Sequence, residues 1–129
     1  MALTELPRSA LSNQQKLQVP GGRIVAITGA VKVNLEVLAS PGGTAVRNES
    51  YGIVVDRIPG AVQAIGTATA GSIMVAVGDK TFAVAVSNAQ ADVDDDSRDV
   101  RLSFDVALQS TGNTTLRTVE FTVLVSTEG

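Results

Sequence analysis

Asp92, Asp94 and Asp96 occupy alternate positions, the spacing of ligands one, three and five in a calcium loop. A hard cation takes several oxygens at this spacing, and Asp95 and Asp99 add carboxylates nearby. The remainder of the pattern is missing. The sixth position, where a sharp turn needs glycine, is Ser97, and the twelfth, where a bidentate glutamate belongs, is Ser103. The three aspartates are metal candidates in outline only. The acidic run reads first as a solvated connection whose charge discourages strand-edge pairing.

Other chemistry is constrained by missing residue types. The chain has no His and no Cys. Imidazole bases, Ser-His and Cys-His nucleophiles, thiolate zinc sites and disulfides are therefore excluded. Pro20-Gly21-Gly22 and Pro41-Gly42-Gly43 are not phosphate loops, because no Gly-Lys-Ser/Thr follows either. Neither a Gly-x-Ser-x-Gly elbow nor a Ser-x-x-Lys dyad is present. An enzyme would have to work with Asp or Glu alone. A sugar site would normally add stacking aromatics, and the four here are Tyr51, Phe82, Phe104 and Phe121. The sequons at Asn48 and Asn113 read as a loop residue and a turn residue. The sequence implies no cofactor and no catalytic residue.

Net charge is −3, and the ten Lys and Arg are scattered singly. Charge therefore does not indicate a nucleic-acid partner. The N-terminus lacks an apolar stretch of signal-peptide length, and no stretch approaches a membrane span, so the expectation is a soluble chain, cytosolic at synthesis, with no membrane partner.

The elements that must carry any site are strands. Aromatics are 3% of the chain and hydrophobic residues 44%, so the core must be built from rows of Val, Ile, Leu and Ala. Val100 to Val125 alternate around Gly112-Asn113 in a way that predicts a hairpin. Its register would set Phe104 beside Phe121, Val106 beside Val119, Leu102 beside Val123, and Asp105 beside Glu120. A second hairpin is expected around Gly78-Asp79, with Val75 beside Phe82 and Ile73 beside Val84. These two registers place all three phenylalanines in the core and leave Tyr51 for display. Strands are also expected over 23–39, with a bulge or bend at Gly29, over 51–58 and over 61–70. Residues 39–50 and 88–98 read as loops.

The pattern predicts an all-β chain: a single-domain antiparallel two-sheet sandwich or small barrel of about seven or eight strands. Residues 1–22 are expected to be an extended N-terminal arm, and 23–129 the all-β domain. The arm carries Leu3, Leu6, Leu11, Leu17 and Val19, which gain nothing in a free tail. Leu11, Leu17 and Val19 are the expected self-association residues, buried against another chain. The functional expectation is a non-enzymatic structural subunit that forms a symmetric homo-oligomer through its arm and sheet edges. Its most concrete form is a capsid- or coat-type protein of a small viral or phage particle. The alternative is a binding module whose loops hold a protein, glycan or calcium.

Overall fold

A computed structural model describes residues 3–75 and 80–128. These form nine strands: β1 (Leu3–Glu5), β2 (Leu11–Gln18), β3 (Ile24–Val37), β4 (Ala45–Arg57), β5 (Ala61–Ala70), β6 (Ile73–Val75), β7 (Phe82–Val93), β8 (Asp99–Ser110) and β9 (Thr114–Thr127). A single 3₁₀ turn, Arg8–Ala10, separates β1 from β2. One sheet has the order β1-β4-β8-β7. The other has the order β2-β3-β9-β5, with β6 also paired to β9. Every described pairing is antiparallel except β1 with β4. Inward residues of both sheets, such as Ile27, Ile53, Phe104 and Val123, merge into one buried core. At one flank the edge strands β5 and β7 run beside each other. Gly66 permits this, because a Cβ there would lie 3.2 Å from the Ala91 methyl and 3.0 Å from Leu102 Cδ1.

Three Pro-Gly turns link consecutive strands. Pro20-Gly21 joins β2 to β3, Pro41-Gly42 joins β3 to β4, and Pro59-Gly60 joins β4 to β5. In each, the glycine has positive φ, at 67°, 76° and 79° respectively. Each turn is closed by an N–H to C=O bond: Gly22 to Val19, Gly43 to Ser40 and Ala61 to Ile58. Proline second and left-handed glycine third is the pattern of a type II turn.

Asparagine performs a related task inside strands. Asn13, Asn34 and Asn88 have φ of 51°, 46° and 53°, and each falls where the pairing register slips. Asparagine tolerates the left-handed region better than other side chains, so each is a bulge residue that bends its strand. The bulge expected at Gly29 is therefore at Asn34. Gly29 instead gives room to Phe121, whose Cζ would lie 3.1 Å from a Cβ at that position. A further bulge at Val55 breaks the alternation of β4, and the Val55 carbonyl accepts a bond from Gln14 Nε2 at 2.6 Å.

Both expected hairpins are corrected. β8 and β9 lie in different sheets, and neither Gly112 nor Asn113 has the positive φ of a primed turn. Phe104 pairs with Tyr51, and Phe121 with Gly29 and Ala68. The apolar rows of β8 and β9 face one core from opposite sheets rather than sharing a sheet. The corner between them is held by buried hydroxyls: Ser110 Oγ lies 2.7 Å from Thr114 Oγ1 and accepts from the Gly112 N–H at 3.1 Å. Likewise β6 pairs with β9 and β7 with β8, while Gly78-Asp79 lies outside the described residues. Phe82 is exposed and Tyr51 is buried, the reverse of the expectation. A hairpin does join β7 to β8 through the acidic segment, with Val93 opposite Val100.

The segment expected as an arm forms two strands on its own chain, which raises the strand count. β1 pairs with β4 in one sheet and β2 with β3 in the other. Its 3₁₀ turn thus bridges the flank opposite β5 and β7, where Asp56 receives Lys16 at 3.3 Å and Arg8 at 3.8 Å.

Candidate self-association surface

The three expected self-association residues separate. Leu11 pairs with buried Val31 and is partly buried against the core, so its apolar surface is used within its own chain. Leu17 is 68% exposed, and Val19, at the start of the β2–β3 turn, is 44% exposed.

Leu17 belongs to a row that crosses a whole sheet. It stands opposite Ala26 of β3, Ala26 opposite Leu124 of β9, and Leu124 opposite Ile65 of β5. Directly opposed residues share a face, so all four point outward, away from the core. Leu124 and Ile65 are 39% and 63% exposed, and Ile24, at 45%, extends the patch toward the strand ends. Single exposed apolar residues are ordinary, whereas a continuous row is not.

The next rung on this face is polar: Gln15, Thr28, Thr122 and Thr67. Beyond it come Ala30, Glu120 and Thr69, then Lys32 opposite Thr118. The two polar rungs line a shallow hollow of about 500 Å³.

Ile24, Ile65 and Leu124 were not singled out from sequence. The signal was a violation of parity. Ile65 is the one large apolar residue among Gln63, Thr67 and Thr69, and Leu124 stands among Glu120, Thr122 and Ser126.

The candidate metal residues are placed as follows. Asp92 lies in β7 opposite Arg101. The Asp94 Oδ1 accepts the backbone N–H of Asp96 at 2.8 Å and of Ser97 at 3.0 Å. These bonds hold the Asp94 carboxyl below its ordinary pKa. Asp94 is thus the internal clasp of the β7–β8 turn, with Arg98 left-handed at φ 63°. Among the described residues no group of three or more His, Cys, Asp or Glu could hold a metal ion. The expected loops are also shorter than read, since 45–50 belong to β4 and 88–93 to β7.

On the other sheet's outer face, Asp105 accepts Ser50 Oγ at 2.6 Å and Asn88 Nδ2 at 2.8 Å. The Asn88 bond first, then that of Ser50, lowers its pKa. Asp105 therefore does not stand beside Glu120, which is in the opposite sheet.

Among the described residues no helix is long and apolar enough to cross a membrane. Comparison with known proteins returns no match: no family model fits the sequence, and no curated protein or solved structure is similar to it.

Proposed function

We propose that the protein is a non-enzymatic structural subunit, a two-sheet β-sandwich that self-associates into a symmetric assembly. The observation that carries this reading is the exposed row Leu17–Ala26–Leu124–Ile65 across one outer face. Fully covering a Leu or Ile is worth roughly 1.5–3 kcal/mol, and these side chains are about half exposed. One such contact is offset by the ~4–15 kcal/mol cost of association. A face that presents several at once, on both partners, overcomes it.

Leu17 comes from the segment expected to dock on a neighbouring chain, and it forms one end of the row. Association through the sheet face leaves β1 and β2 on their own chain. The short Pro-Gly turns further favour a packing unit over a loop-borne binding site. A coat-type subunit of a small viral or phage particle is the most concrete form of the proposal.

Light scattering together with negative-stain imaging of the purified chain tests it. A mass that is a multiple of 13.3 kDa, or uniform particles, is expected. A monomer at all accessible concentrations would overturn it.

A further inference from the structure

The geometry points to a two-fold pair in which the outer faces of two β2-β3-β9-β5 sheets stack, with the symmetry axis parallel to the strands and midway between β3 and β9. This deepens the self-association reading and rests on it. The occupant of the face is a second copy of this chain.

The rungs of the face dictate the axis. Rotation about a line parallel to the strands keeps each rung opposite the same rung of the second copy, with β3 over β9 and β2 over β5. Along the Leu17–Ala26–Leu124–Ile65 rung apolar residues then meet apolar ones, while Ile24 of the rung beyond faces Ser126. Ala26 faces Leu124 of the second copy, a small residue against a large one, and Leu17 faces its Ile65. The polar rung meets the polar rung, Thr28 over Thr122. An axis across the strands would either set the apolar row against the end that carries Lys32, or cover only the rungs near the axis.

Charge agrees with this placement. Glu120 of β9 would face Ala30 of the second copy, and two residues further along that strand, on the same side, stands its Lys32. By symmetry the same contact forms twice. Both side chains are exposed. Lys32 is also the diagonal neighbour of Glu120 on β3 and β9 of one chain, yet neither has an ion-pair partner among the salt bridges described.

The area suffices. Four strands at ~4.8 Å spacing and about nine residues at ~3.4 Å rise give a plane of roughly 590 Å² before side-chain relief is added. A standard interface takes about 800 Å² of accessible surface per partner. Stacking with strands nearly aligned is also the ordinary mode for two sheets packed face to face.

The test is a charge exchange between chains. Glu120→Lys alone and Lys32→Glu alone each create two like-charge contacts in their own pair and should weaken dimerisation roughly tenfold or more. Mixed one to one, the two variants form a pair in which both contacts are again attractive. Sedimentation velocity should show the dimer restored in the mixture, with circular dichroism unchanged throughout. Contacts within one chain cannot produce this rescue. If the single variants dimerise like the parent, or the mixture is no better than its parts, the proposed axis is wrong while self-association stands. If the parent chain is monomeric, both the axis and the self-association reading fall.

Discussion

Glu5 of β1 forms an ion pair with Arg101 of β8, although the whole of β4 lies between their strands. The residue beneath the bridge is Gly52. A Cβ on Gly52 would lie 2.6 Å from Arg101 Nη2 and 2.8 Å from Leu3 Cδ2. The missing side chain is what lets Arg101 reach over β4 and tie the N-terminal strand to its sheet. The pair is half exposed, so its worth is that of a surface ion pair, about 0–1 kcal/mol. Its consequence is local.

Gly52→Val should accordingly release β1 without unfolding the domain, because the atoms it displaces are the ends of flexible side chains. Hydrogen exchange should rise at Leu6, whose N–H donates to the Gly52 carbonyl at 2.9 Å, with the core strands unchanged. Undiminished protection at Leu6 would mean that the ion pair does not hold the strand.

At the β8–β9 corner, Ser110→Ala leaves the buried Gly112 N–H without its 3.1 Å acceptor. A cost of about 1–3 kcal/mol in urea unfolding is expected. Thr114→Val removes the other member of the same network, so the double variant should cost clearly less than the two singles added together. Additive losses would show that the two hydroxyls act independently.

Asn34 is expected to tolerate glycine and reject alanine. At φ 46° a residue with an ordinary Cβ bears a penalty of roughly 1–2 kcal/mol, from which glycine is exempt. Asn34→Ala should therefore lower stability by about that amount, and Asn34→Gly should stay near the parent. Equal effects would contradict the bulge assignment.

The strands themselves were legible because alternation marks buried faces, and β3, β5, β8 and β9 lie close to where their patterns put them. Their partners were not legible. Val100–Leu108 and Leu116–Val125 show the same alternation whether they sit side by side in one sheet or face each other across a core. Gly112-Asn113 suits a tight hairpin by residue type, yet Ser110 and Thr114 make it a corner. The bulges were hidden too: by polarity Asn34 is an ordinary outward residue, while Asn13 falls in the expected arm and Asn88 in the expected 88–98 loop. The surface was half visible. Leu17 was singled out for being an aliphatic with no local use, whereas Ile65 and Leu124 join it only once the register sets four strands side by side.

Titration should reveal the hydrogen bonds that Asp94 accepts. Backbone N–H bonds from Ser97 and Asp96 favour the charged form, so its midpoint falls below the ordinary carboxylate value of about 3.9. A carboxyl whose pKa is lower folded than unfolded stabilises above the unfolded value. That contribution is lost as pH falls through the folded one. Carboxyl NMR should show Asp94 titrating below the ordinary carboxylate value of about 3.9. Asp94→Asn, which keeps an oxygen acceptor, should preserve the turn while removing this pH dependence. An ordinary midpoint for Asp94 would mean that the clasp does not form in solution.

The outer face of the β2-β3-β9-β5 sheet is proposed to be covered by a second copy. Sedimentation velocity of the parent chain beside Ile65→Lys/Leu124→Lys tests it most directly. Both substitutions are at exposed positions, so the strand signal in circular dichroism should be the same for the two proteins. The expected result is an assembly for the parent and a 13.3 kDa monomer for the variant. A parent that sediments as a monomer, or a variant that assembles as the parent does, would contradict the claim.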